Sequence, residues 1–286
     1  METSPKKIGQ GRLFPAASSM DKWPWWALMI ALAAILITFS ILTSPVYQDA
    51  FNFIREGIST TIRVTLTAYG FAIVGGLFLG IGRVSKNIIY YNLATLYVEV
   101  MRGIPMLVII LYAAFVVVPV VLDGVNGLGN WLAGFSALAG LGASLQQITI
   151  QDVDMSGRAI AGLAMGYAAF EAEVFRAGIQ SIERGQMEAA RSLGMTYVQA
   201  MRFIILPQAF RRILPPLGND FIAMLKDSSL ISVLAVRDIT QLGKLFRART
   251  FSSFEAYNTM AFLYLSMTIS LSIVVKFIER RLRHGH

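Results

Sequence analysis

Seven polar side chains interrupt two otherwise apolar stretches of this chain: Glu171, Glu173, Asn219, Asp220, Lys226, Asp227 and Ser228. Ionisable groups in such surroundings are costly, and by default they mark a path for a polar solute or an ion. Glu171 and Glu173 lie two residues apart, about 200° around a helix, so they do not share a face as an acid–base pair would. Glu173 stands three residues before Arg176, the spacing of a helical ion pair. Glu171 has no such neighbour and is the better candidate for a substrate contact, such as an amino group. Asn219 and Lys226 are seven residues apart, as are Asp220 and Asp227, so each pair shares a face. Lys226-Asp227-Ser228-Ser229 could meet a substrate carboxylate and amine, or could lock helix packing. These residues outline a cavity between the two apolar stretches.

Other chemistry is poorly supported. Cysteine is absent, so there is no thiolate, disulfide or cysteine-based metal site. The two histidines, His284 and His286, are too few and too terminal for a metal centre. The sequence holds no G-x-x-x-x-G-K-[ST] phosphate loop, no H-E-x-x-H and no G-x-S-x-G. It is expected to be no enzyme, to hold no cofactor and to hydrolyse no ATP itself.

The elements that position the polar groups are membrane spans. Of 286 residues, 55% are hydrophobic and 15% charged, against about 25% charged in soluble domains. The mean hydropathy is +0.59, and several uncharged windows are long enough to span a bilayer. The net charge of +8 fits basic loops facing anionic lipid better than nucleic-acid binding. Six spans are predicted: residues 25–43, 62–82, 104–122, 158–179, 208–234 and 257–278. The first, beside Trp23, Trp25 and Trp26, is read as an uncleaved anchor, since no small-x-small cleavage pattern precedes Tyr47. The run 88–122 is too long for one span. Pro105 divides it into a surface helix, 88–102, and a span, with Glu99 and Arg102 placed to pair.

Lysine and arginine set the direction. Lys6, Lys7, Arg12 and Lys22 precede the first span, and Arg83 and Lys86 follow the second. Arg176, Arg184, Arg191, Arg202, Arg211 and Arg212 surround residues 182–207, and Lys276, Arg280, Arg281 and Arg283 lie at the C-terminal end. Six spans put all four groups on one side, so both termini are expected in the cytoplasm. Residues 119–157 carry no Lys or Arg before Gly157 and fall outside as an insertion. Within it, "WLAGFSALAGLGASL" is apolar but short, and is read as interfacial. Lys226, Arg237, Lys244, Arg247 and Arg249 resist the scheme, because they would lie at or beyond the outer end of the fifth span. A shortened or partly re-entrant segment there would accommodate them.

Between the fourth and fifth spans stands "QMEAARSLGMTYVQAMRFIILP", Gln186 to Pro207. Glu188 to Leu193 are helix formers, and Gly194 is placed to close the helix in a left-handed conformation. Thr196 and Gln199 form a T-x-x-Q capping box for a second helix. There Tyr197, Ala200, Met201, Ile204 and Ile205 make one apolar face, and Pro207 marks the end. The periodicity alone describes an amphipathic connector. The spacing adds to it: Glu188-Ala189-Ala190, three residues, Gly194, nine residues, Ile204, one residue, Leu206-Pro207. This resembles the EAA-x3-G-x9-I-x-LP loop of the integral-membrane permeases of bacterial ABC importers. "TTIRVTLTAYGFAI", "YVEVMRGIPMLVIILY", "AEVFRAGIQSIERGQMEAARSLGM" and "LPQAFRRILPPLGNDFIAMLKDSSLISVL" resemble the polar amino-acid branch of that family. The likeness runs from about Ser59 to the C-terminus.

The resemblance implies an all-α polytopic protein, a type I importer permease core at 59–286, with a tail and an extra N-terminal span at 1–58. It implies Glu188, Ala189, Ala190 and Gly194 as contacts to a cytoplasmic ATPase. It further implies two ATPase subunits carrying ATP and Mg, a second permease chain, identical or homologous, an external solute-binding protein and a polar amino-acid substrate. The location would be the bacterial inner membrane. The alternatives are an ion-coupled or facilitative transporter needing no ATPase, and a non-transporting scaffold. No inverted repeat with matching broken spans supports the carrier.

Overall fold

The computed structural model describes residues 25–283, with side chains as far as Arg281. Lys6, Lys7, Arg12, Lys22, Trp23, His284 and His286, and the side chain of Arg283, lie outside what is described. Among the described residues every regular element is helical.

Helix α1 (Trp25–Thr43) is apolar all round and buries none of its residues. Extended Ser44 leads into α2 (Pro45–Ile54), with proline in the first turn where its missing N–H is harmless. Helix α3 (Gly57–Val84) ends at extended Ser85. Helix α4 (Ile88–Gly103) is capped by Asn87, whose side chain accepts from the N–H groups of Ile89 and Tyr90. Then come α5 (Met106–Tyr112), a π turn (Ala113–Val117) and α6 (Val118–Ala133) in one continuous run. Helix α7 (Ala139–Gln146) folds back on α6, and a Cβ added at Gly142 would lie 2.7 Å from the Gly129 carbonyl. At eight residues α7 is about 12 Å long, too short to cross a bilayer.

Helix α8 (Met155–Gln180) is capped by Asp154 and forms the axis of the bundle. It is followed by α9 (Arg184–Ser192), α10 (Tyr197–Ala200), a second π turn (Met201–Ile205) and α11 (Leu206–Asp227). A 3₁₀ segment (Ser228–Leu234) turns at Ala235 into α12 (Ile239–Thr250), and α13 (Ser253–Arg283) closes the chain.

Small residues let α3 and α8 meet at backbone distance. A Cβ on Gly76 would lie 3.0 Å from the Ala172 nitrogen, and one on Gly80 2.9 Å from the Ala172 carbonyl oxygen. Gly162 of α8 does the same for α5, where a Cβ would lie 2.7 Å from the Ile110 Cα. Around these contacts Val64, Ala68, Ile110, Leu163, Met224 and Ile231 form the main core. Four helical runs are long and apolar enough to cross a bilayer: Trp25–Thr43, Pro45–Val84, Met106–Ala133 and Ser253–Arg281. Helices α8 and α11 also have the length, with 26 and 22 residues, but carry the polar groups.

Several expectations need correction. Helix α4 does not stand apart at a surface: Val98 packs on Ala169 and Ala172, and Tyr97 donates to the Met165 carbonyl at 2.9 Å. Pro207 does not end the loop helix, and Pro119 is likewise helical. Each sits in the first turn of a helix directly after a π turn. There the N–H of Val118 reaches the Ala113 carbonyl, and that of Leu206 the Met201 carbonyl, five residues back. The wider turn makes room for a ring that would clash in an α-helix. Pro215 and Pro216 do not break α11 either. The re-entrant reading of the resistant segment has a counterpart, because Ser228–Leu234 folds inward and places Ile231 and Leu234 in the core.

Candidate functional site

Two polar regions stand out, one at the end of the bundle that carries α9 and α10, called here the loop end, and one within it. At the loop end Gly194 takes φ +83, a conformation that favours glycine. The Met195 N–H then reaches the Ala190 carbonyl at 3.2 Å and the Gly194 N–H that of Arg191 at 3.0 Å, the paired bonds of a Schellman turn. The capping box is formed: the Thr196 hydroxyl accepts from the Gln199 N–H, and the Gln199 side chain accepts from the Thr196 N–H at 2.8 Å. Ile182 and Ile205 pack against Phe175, Ala209 and Ile213, which fixes the loop to α8 and α11.

This anchoring sorts the loop into two faces. Glu188, Ala189 and Gly194 are exposed. So are Leu193 at 84%, Val198 at 70% and Tyr197 at 60%, an apolar patch that the described residues do not cover. Ala190, grouped with the exposed residues by its motif position, points inward at 4% and is a packing residue. Tyr197, expected on the inner face with Ala200 and Ile205, is on the outer one. The π turn shifts the helical register between it and Ile205.

Between α5, α8 and α11 lies a cavity of about 250 Å³ that is open on one side. Its walls include Met106, Tyr167, Phe170, Asp220, Ala223 and Asp227. The Tyr167 hydroxyl donates to Asp227 Oδ2 at 2.8 Å, and the Tyr167 and Phe170 rings lie 5.7 Å apart. The shared face of Asp220 and Asp227 therefore does face one space. Behind it Glu171 is fully buried, and neither carboxylate oxygen has a hydrogen-bond partner. The Tyr69 hydroxyl donates to the Leu217 carbonyl instead. A buried carboxylate left without a partner is unusual in a packed helical bundle.

The other predicted residues are elsewhere. Glu173 joins Arg83 at 2.8 Å and Arg176 in an ion network, and Arg83 also reaches Glu99 at 3.4 Å. Glu99 and Arg102 therefore do not pair, and the Arg102 guanidinium lies over the Phe170 ring at 5.8 Å. Ser228 is buried and donates to the Leu225 carbonyl at 2.7 Å, a packing role. Asn219 and Lys226 are exposed on another face of α11. Sequence reasoning missed Tyr167, Phe170 and Tyr69. One signal was available: Tyr167 precedes Glu171 by four residues, so a phenol and an acid share a face of one apolar helix.

A multi-pass helical bundle with polar groups shielded inside and an exposed helix–turn–helix at one end is the architecture of a transport permease. The family described as "Binding-protein-dependent transport system inner membrane component" matches residues 72–284. The chain belongs to this family. The probable glutamine ABC transporter permease protein GlnM of Bacillus subtilis (strain 168) is 35% identical over 238 residues, covering 83% of this chain and 97% of that one. The glutamate/aspartate import permease protein GltK of Escherichia coli O157:H7 is 32% identical, covering 80% and 93%. A crystal structure of an amino acid ABC transporter with histidines is similar with TM-score 0.64 and 33% identity, covering 80% of this chain and 94% of that one. An inward-facing MetNI methionine ABC transporter shares the fold with TM-score 0.59 at 18% identity, covering 80% and 96%.

Proposed function

We propose that this chain is the permease subunit of an ATP-driven importer that moves a polar amino acid across the bacterial inner membrane, with both described ends of the bundle oriented so that the loop end is cytoplasmic. The observation that carries this is the two-faced loop. Its inner face is tied to α8 and α11 by Ile182 and Ile205. Its outer face presents Glu188, Ala189, Leu193, Gly194, Tyr197 and Val198 to a partner. A movement imposed on that face is passed directly to the two helices that wall the cavity. The partners are two ATPase subunits, which supply ATP and Mg, and an external solute-binding protein.

The names of the relatives, which concern glutamine, glutamate and aspartate, support a polar amino acid as the substrate. In the cavity Asp220 and Asp227, with Glu171 behind them, would take the substrate ammonium group, and Tyr167 and Phe170 would flank it. Polar side chains do not face lipid at such depth. Asn219 and Lys226 on the exposed face of α11 are therefore assigned to the contact with the second permease chain.

Co-expression with a candidate ATPase, copurification and an uptake assay in proteoliposomes with the binding protein test the reading. Wild-type protein should retain the ATPase and take up amino acid only with ATP. Glu188→Lys should reduce both while leaving the helical content unchanged. Uptake by this chain alone, or full uptake by the Glu188→Lys variant, would remove the proposal in favour of a self-sufficient carrier.

A further inference from the structure

Five cations at the end of the bundle opposite the loop have no place in the transport reading: Arg55, Arg237, Lys244, Arg247 and Arg249. Lys244 is an exposed residue whose ammonium donates to Ser232 at 2.9 Å. The arginines are handled differently. Arg247 lies over Tyr257 at 6.0 Å, Arg249 over Phe53 at 5.1 Å and Arg55 over Phe51 at 5.8 Å. Asp49, Glu56 and Glu255 are at the same end, yet the ion pairs found among the described residues are Arg83–Glu99, Arg83–Glu173 and Arg176–Glu173. A guanidinium stacked by its face keeps its in-plane N–H groups free, and these are the donors that match a phosphate.

The depth of these groups follows from helix lengths. Lys276, Arg280 and Arg281 mark the loop end of α13. About 20 residues of helix cross the hydrocarbon core, which counts back from Lys276 to Tyr257. Arg247, stacked on that ring, is thus at the level of the lipid headgroups. Beside it the chain reverses at Phe251, which has a left-handed φ of 58 and is 89% exposed. Phe254 is 73% exposed. Leu265 and Ile269, also exposed, follow it by 11 and 15 residues, which places them about 20° and 60° around the helix from it. Phe254 therefore tops the lipid-facing stripe of α13 and looks sideways, not out along the bundle axis.

We infer that the end of α12, the α12–α13 turn and the facing edge of α2 form a binding site for an anionic phospholipid of the leaflet at that end. The Arg247 and Arg249 edges take the headgroup phosphate, and Phe251 and Phe254, outward of Tyr257, flank the headgroup. Basic and aromatic side chains together are the usual anchors at a membrane interface. The lateral position of Phe254 favours lipid over an acidic protein surface docking from above. The inference does not depend on the ATPase.

Native mass spectrometry of the purified chain, delipidated and then titrated with phosphatidylglycerol or phosphatidylcholine, tests it. The wild type should retain phosphatidylglycerol preferentially, and Arg247→Gln with Arg249→Gln should lower that retention several-fold. Arg247→Lys with Arg249→Lys, which keeps charge and guards against misfolding, should recover part of it. Arg191→Gln, at the other end, should not change it. Equal retention by the glutamine variant, checked for unchanged helical content, would overturn the inference. So would a glutamine variant that keeps its lipid and instead loses binding-protein affinity, which would give the surface to a protein.

Discussion

Two glutamates two residues apart on α8 have opposite fates, and the difference is a matter of partners. Glu173 faces Arg83 and Arg176 and is satisfied. Glu171 faces the interior and its oxygens are not. The variants should therefore separate cleanly. Glu173→Gln leaves Arg83, only 12% exposed, with the more distant Glu99. Charge-assisted hydrogen bonds contribute about 1.5–3 kcal/mol each, so thermal unfolding in detergent should show a loss of about 2 kcal/mol, with the uptake KM unchanged. Glu171→Gln keeps the shape and removes the charge. On the proposed reading it raises the KM of uptake about tenfold, which corresponds to about 1.4 kcal/mol, and leaves assembly intact. Unaltered transport kinetics in reconstituted vesicles would take Glu171 off the substrate path.

At the scale of elements, the bundle rests on close approach between helices more than on large side chains. Gly76 and Gly70 lie on the same helix, but only Gly76 faces α8. A Cβ there meets Glu171, Ala172 and Ala168, whereas at Gly70 it meets nothing within 4 Å. Gly76→Ala should lower stability by about 1–3 kcal/mol, the range for an overpacked core. Gly70→Ala should be neutral or gain about 0.5–1 kcal/mol, because alanine is the better helix former. Equal melting temperatures for the two variants would mean that α3 and α8 are not packed as described. Much of this architecture was legible in the residues. The apolar runs marked a helix at each predicted span, the Gly194 and Thr196 signals gave the loop its turn and cap, and the seven-residue spacing put Asp220 and Asp227 on one face. Pro207 misled, because local rules describe an α-helix and not one widened by a π turn. The aromatic half of the cavity was illegible for another reason. Tyr167 and Phe170 are ordinary residues of an apolar helix until the fold brings Asp227, 60 residues later, against the phenol.

On the scale of the whole molecule, the proposed reading needs a second permease chain, and one exposed face of the bundle is suited to receive it. The lipid-facing side of α13 exposes Leu265, Ile269, Ile273 and Phe277, as a bilayer requires. The exposed face of α11 instead carries Asn219 and Lys226, polar groups that lipid would penalise. On the proposed reading, a second permease chain covering that face would remove the penalty and close the cavity of Asp220 and Asp227 from the side. The absence of cysteine makes this directly measurable, since a single introduced thiol has no competitor. Asn219→Cys, oxidised in native membranes, should give a disulfide-linked pair of this chain if the partner is identical, and Ile269→Cys on the lipid side should not. If Asn219→Cys stays monomeric while the intact complex still contains two permease-sized chains, the partner is a different, homologous chain. If the thiol at 219 instead reacts freely with a lipid-soluble maleimide in the assembled complex, that face of α11 is bare, and the placement of the second chain is wrong.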